Sequence, residues 1–193
     1  MKFLNNLKSQ KVWVNWKFDT TRGKIPINPL TGGNAMSNNS KTWADYNIAF
    51  KNKFKYDGIG FIFSNGVWGV DIDGADGHTK TNLLQKEILK LFEGTYTETS
   101  PSVAGIHIIF TCDVSRIPTI TSQNGAVKLN PNYYQKNTKS GLECYFSGLT
   151  NRFFTYTGNQ ISNTNEITDK TDEVLYLLQK YMYRGEEKKT CKH

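Results

Sequence analysis

The chain has 193 residues, enough for one domain, or two closely packed halves, around a real core. Its 24 Lys and Arg against 17 Asp and Glu leave a net charge of +7, which favours polyanionic partners. No stretch is apolar and long enough to span a membrane, Met1–Ser9 shows no signal peptide, and Cys112, Cys144 and Cys191 form no CxxC pair. These features exclude a membrane span, a disulfide framework and structural zinc, and lead us to expect a cytoplasmic protein with free thiols.

Lys11 to Phe18 (KVWVNWKF) alternates, with Val12, Val14, Trp16 and Phe18 on one face, and predicts a strand. GKIPINPLTGG then predicts a short extended piece and a turn. Ser40 to Phe54 carries Trp43, Tyr46, Ala49 and Phe50 at helical spacing, with Thr42 and Asp45 as a capping start. GIGFIFSNGVWGVDID reads as two strands of a hairpin turned by Ser64-Asn65-Gly66. Asn82 to Phe92 sets Leu84, Ile88, Leu91 and Phe92 on one helical stripe that ends at Gly94. GIHIIF (105–110), GLECYF (141–146) and RFFTYT (152–157) predict three more strands. A long polar stretch from Asp113 to Ser140 reads as a functional or disordered loop. Asp172 to Arg184 predicts a last helix before the solvated tail RGEEKKTCKH. This divides the chain into a main body, residues 1–160, and a polar linker with helix and tail, residues 161–193.

Chemistry enters with Asp71 and Asp73. On a strand they share a face, while Val70 and Ile72 anchor the other. Two carboxylates roughly 7 Å apart repel unless a divalent cation offsets the charge, although an Asp-rich turn that simply stops a strand is the competing explanation. The EF-hand calcium loop is excluded, because Asp76 and Asn82 stand where it needs Gly and Glu. Alternation also sets His107 opposite Ile106, Ile108 and Phe110, and sets Glu143 opposite Leu142, Cys144 and Phe146. Three strands of one antiparallel sheet would then each present a polar group on the same face. Asp71, Asp73 and Glu143 are hard oxygen donors suited to magnesium or manganese. His78 and His193 sit in polar surroundings and carry no such argument.

The ordered set VDID, SPSVAGIHIIF and GLECYFSGLTNRFFTYTG resembles the three motifs of the archaeo-eukaryotic primase superfamily, in particular the primase-polymerase domains of phages, plasmids and genomic islands. VWVNWKF, GKIPINPLTG and TWADY resemble the N-terminal portion of those domains, so the likeness covers about residues 10–160. It implies an α/β (α+β) fold with an antiparallel RRM-like catalytic sheet, flanking helices and an N-terminal α/β portion. It further implies that Asp71, Asp73 and Glu143 bind two catalytic Mg2+ or Mn2+ ions and that His107 contacts the phosphates of the incoming nucleotide. Arg152, Ser100 and Ser102 are further nucleotide-binding candidates. Lys128, Lys136 and Lys139 are candidates for the nucleic-acid surface. The implied partners are single-stranded DNA, nucleoside triphosphates and a replicative helicase on the same or another chain. One departure stands out: relatives tend to carry a second glycine after Ser-Pro-Ser, and this chain has Val103, whose branched side chain adopts glycine-only angles at a cost. The rival readings are a non-catalytic single-strand-binding relative and a nicking initiator; the latter needs a histidine pair, and the chain has no HxH.

Overall fold

Apolar runs that must be covered on both faces build two antiparallel sheets, one against the other, in a computed structural model that describes residues 2–74, 83–150 and 152–185. In chain order the strands are β1 (Lys2–Phe3), β2 (Trp13–Asp19), β3 (Gly23–Ile27), β4 (Gly58–Ile62), β5 (Val67–Ile72), β6 (Thr97–Thr99) and β7 (Ile106–Thr111). They continue with β8 (Thr119–Thr121), β9 (Val127–Leu129), β10 (Lys136–Asn137), β11 (Leu142–Tyr145), β12 (Phe153–Tyr156) and β13 (Glu166–Ile167). The α-helices are α1 (Leu4–Lys8), α2 (Tyr46–Asn52), α3 (Leu83–Leu91) and α4 (Thr171–Leu177). The mixed α+β architecture with an antiparallel central sheet is the one implied by the primase resemblance.

The first sheet runs β10-β11-β5-β7-β6 and the second β12-β4-β2-β3. The alternation read in the sequence decides which side chains face which way. Val70 and Ile72 of β5, Ile106 and Ile108 of β7, and Leu142 and Cys144 of β11 enter one core, closed by Ile88 of α3 and by Val174 and Leu177 of α4. The last helix therefore packs on the same core as the central sheet. On the opposite face Val67 and Ile109 join Trp13, Phe61 and Phe154 of the second sheet in another core, which α2 caps with Ala49.

Four expectations are corrected. GIGFIF and VWGVDID do not pair with each other. β4 lies between β12 and β2, and β5 lies between β11 and β7, so neither has an edge left for the hairpin. The Ser64-Asn65-Gly66 turn does form, with Asn65 at φ 53° and Gly66 at φ 73°, but it carries the chain from one sheet to the other. The helix predicted from Ser40 is interrupted, because Ala44 leaves it to bridge Trp13. A 3₁₀ turn covers Ser40–Thr42 and α2 starts only after Asp45, so Thr42 does not cap it. Thr42 Oγ1 instead accepts from the Met36 amide and donates to Asn39. The stretch from Asp113 to Ser140 is not a plain loop, since β8 and β9 pair within it and β10 joins the first sheet. Phe18, placed with the core-facing residues of its strand, is 63% exposed because β2 outruns the covering layer at that end. Cys144 is buried and Cys112 half-buried, both free; Cys191, His78, His193 and most of the tail lie outside the described residues.

Candidate active site

Register across the first sheet sets five polar residues in one line. Lys136 pairs with Glu143, Glu143 with Asp71, Asp71 with His107, and His107 with Glu98. Directly opposed residues on antiparallel strands share a face with Cβ atoms roughly 5 Å apart, so the line runs along one surface across all five strands. Asp73 follows immediately after β5. Its amide donates to the Gly141 carbonyl at 2.8 Å, which fixes it beside the start of β11. The chain must pass close to the next loop there, because a Cβ on Gly74 would stand 2.5 Å from that of Ala104.

At the buried end of the line both oxygens of the Glu98 carboxylate are hydrogen-bonded. Glu98 has no exposed surface and accepts from the Thr157 amide at 2.9 Å, the Gly158 amide at 2.9 Å and the Tyr96 hydroxyl at 3.0 Å. Its Oε1 also lies 3.3 Å from His107 Nδ1. A carboxylate there is an acceptor, so the Nδ1 proton belongs to this contact and Nε2 is turned toward Asp71, 3.8 Å from its Oδ1. Phe154 covers the imidazole with its ring centroid 4.2 Å away. Sequence reasoning missed Glu98, which sits in the three-residue strand TET. Its signal was positional: once the loop 100–105 closes with Thr99 opposite Ile106, Glu98 must face His107.

The open half is crowded with negative charge. Burial pushes the Asp71 carboxyl up from its ordinary 3.8 to about 6; His107 opposes the rise, and Asp73 and Glu143 add to it. Lys24 of β3, from the opposite sheet, acts on the same carboxylate. Glu143 forms an ion pair with Lys136 and accepts from the Tyr145 hydroxyl at 2.5 Å. The hydrogen bond from Lys136 to Glu143 raises the Lys136 ammonium above its ordinary value, and burial followed by the Glu143 charge raises the Tyr145 phenol. Among the described residues no three His, Cys, Asp or Glu side chains already stand as a closed metal cluster. The donor chemistry nevertheless fits a hard divalent cation. Glu143 is the register partner of Asp71, the charges of Asp73 and Glu143 both act on Asp71, and positive charge there would relieve the pressure on it.

The nucleotide-binding candidates sit around this line. Ser100 is buried, its hydroxyl accepting from the Gly105 amide at 3.1 Å and meeting the exposed Ser102 hydroxyl at 2.9 Å. Ser100 therefore shapes the loop while Ser102 faces out. Val103 holds φ 65° and is 64% exposed, a left-handed conformation that a branched side chain adopts only under strain. Arg152 is exposed just before β12, near enough for its charge to act on Tyr145. Of the three lysines offered as a nucleic-acid surface, Lys136 is engaged by Glu143. Lys128 lies exposed on β9 and Lys139 is exposed in the turn before β11.

No family model matches the chain. It is 29% identical over 167 residues, 81% of its length, to the DNA primase-polymerase of Nitratiruptor phage NrS-1. The chain is similar to a phage DNA primase-polymerase. It spans about a fifth of that relative, 20% of its length. The match agrees with the resemblance carried by the VDID, SPSVAGIHIIF and GLECYF motifs. Among the described residues no helix is long and apolar enough to cross a membrane.

Proposed function

We propose that the chain is the catalytic part of a DNA primase-polymerase, carrying out metal-dependent, template-directed nucleotidyl transfer in the replication of a mobile genetic element. The observation that carries the reading is the register line Glu143–Asp71–His107, which puts the acidic and histidine motifs on neighbouring strands of one face. The likeness to a phage primase-polymerase supports it.

Asp71, Asp73 and Glu143 would hold Mg2+ or Mn2+, which when bound activates a 3′-hydroxyl and stabilises the charge of the departing pyrophosphate. The remaining work falls to the protein. Asp71 must be ionised to serve, and positive charge at the site lowers a carboxyl that burial has raised to about 6. Glu143 is kept in place by the Tyr145 hydroxyl, and its Lys136 partner is the cation that a metal would replace there. His107, fixed through Nδ1 by Glu98 and covered by Phe154, would meet the triphosphate through Nε2 in a preset orientation. Ser102 and Arg152 add exposed donors near the same groups. Single-stranded DNA and nucleoside triphosphates are the partners this reading requires.

The test is an incubation of the protein with labelled nucleotides, Mg2+ or Mn2+, and single-stranded DNA, with and without a primer. Labelled products that lengthen only with template and metal are expected. Binding of DNA without any incorporation would instead favour a non-catalytic relative.

A further inference from the structure

Away from the acidic line, the second sheet and α2 enclose a cavity of about 450 Å³. Tyr46, Phe50 and Tyr156 line it together with Lys8 and Lys53. Its rim reaches Pro101, Thr157 and Gly158. Pro101 lies between Ser100 and Ser102, and the amides of Thr157 and Gly158 are those that hold Glu98. The cavity is thus continuous with the loops that position His107.

Rings and cations are interleaved there. Lys8 Nζ stands 4.8 Å from the centroid of Tyr46 and 5.7 Å from that of Tyr156, and Lys53 Nζ stands 4.0 Å from that of Phe50. Among the described residues neither ammonium has a carboxylate partner at ion-pair distance. The one acidic residue of the lining, Asp57, spends Oδ2 on the Phe18 amide at 2.6 Å. The pattern continues past the cavity mouth. Phe54 is 88% exposed, its ring lies 4.9 Å from Lys53 Nζ, and Lys51 and Lys55 flank it as exposed cations.

We infer that this cavity and the adjoining Phe54 surface form a binding track for single-stranded polynucleotide, with bases against the exposed Phe50 and Phe54 and phosphates at Lys8 and Lys53. The chemistry is that of sequence-tolerant single-strand binding, in which ring faces take bases and lysines neutralise the backbone. An aromatic ring as exposed as Phe54 beside three lysines has no packing role that accounts for it. A track longer than one cavity fits a polymer in preference to a free nucleotide. The inference rests on the proposed polymerase reading for its purpose, as a path that leads template or primer to the Ser100–Gly105 loop.

The test is fluorescence anisotropy with labelled oligo-dT of about 12 nucleotides, without metal, on the whole chain and its variants. Replacing Lys8 and Lys53 together by Ala should make the salt dependence shallower by about 1.4, two contacts at about 0.7 each. Phe54→Ala, at a site too exposed to endanger folding, should weaken binding about five-fold or more. Asp71→Asn should bind like the parent, so a failure of catalysis and a failure of this track are told apart on the same samples. An unchanged salt slope in the double-lysine variant together with an unchanged affinity for Phe54→Ala would overturn the inference. Displacement of the oligonucleotide by thymidine triphosphate at equal nucleotide concentration would also overturn it, by making the cavity a mononucleotide site.

Discussion

The two faces of the first sheet are made by the same strands, and they part company where Asp71, His107 and Glu143 stand. On β5, β7 and β11 the side chains that point toward α3 and α4 are apolar and sealed: Val70, Ile108, Leu142 and Cys144 have no exposed surface. Their immediate neighbours Asp71, His107 and Glu143 point the other way and are charged or titratable. The first face removes apolar area from water and stabilises; the second does the same with Val67 and Ile109 but gathers like charges around Asp71 at a cost in stability. A strand period of two is what lets both live in one short segment. The charged cluster is thus held in place by the apolar residues beside it, so the two should respond differently to substitution.

The largest effect on stability is expected on the sealed face. Ile108→Ala should destabilise the fold by about 2–5 kcal/mol, through lost transfer energy and a cavity that neighbours on three sides cannot fill. Urea denaturation checks it. A loss below about 1 kcal/mol would mean that the face is loosely packed.

Asp71 should show the opposite behaviour. Its carboxyl is raised in the folded chain from 3.8 to about 6, so the protonated form favours folding. That contribution is fully present below about pH 3.8 and is lost as pH rises through about 6, a difference of about 3 kcal/mol. Asp71→Asn should remove this slope and raise stability at neutral pH in the absence of divalent cations. Added Mn2+ should stabilise the parent and leave the variant unmoved. Melting curves from pH 4 to 8, with and without Mn2+, decide it, and a variant that keeps the parent's pH slope would sink the assignment.

Glu98→Gln probes the seam between the two behaviours. The amide keeps one acceptor but turns an N–H toward a donor that Glu98 now satisfies, which should cost about 1–3 kcal/mol. Because His107 loses its orienting partner, nucleotide incorporation should show a raised KM with a smaller change in kcat. Equal losses in both parameters would point to a different role for the histidine.

The smallest effect concerns the loop 100–105. Val103→Gly should gain about 1 kcal/mol, the strain of a branched residue at φ 65° less the entropy that glycine adds to the unfolded chain. Val103 is 64% exposed, so little packing is lost. A destabilised glycine variant would mean that the loop is not strained.

Much of the first sheet was legible because period-two alternation is a local property. It placed His107 against Ile106 and Ile108, and Glu143 against Leu142 and Cys144, without knowledge of pairing. What was not legible depends on which strands meet. The Ser64-Asn65-Gly66 turn has the chemistry of a hairpin, yet β4 and β5 find their partners in separate sheets. Glu98 could be recognised only through the register of β6 with β7, and Lys136 only through that of β10 with β11. Tyr46 and Phe50 read as the apolar stripe of a helix, and Lys8 and Lys53 carried no reading, until the fold brought all four to one cavity that reaches Pro101.

Val70 and Asp71 are adjacent in sequence and opposite in face, and a paired measurement on them tests the account most directly. Melting temperature, affinity for single-stranded DNA and nucleotide incorporation are measured on Val70→Ala and Asp71→Asn alongside the parent. The account predicts that Val70→Ala lowers the melting temperature while its folded fraction still incorporates nucleotides, and that Asp71→Asn keeps its fold and its DNA affinity but loses incorporation. If Asp71→Asn extends primers like the parent, or loses stability and DNA binding in parallel with its activity, the division of labour between the two faces is wrong.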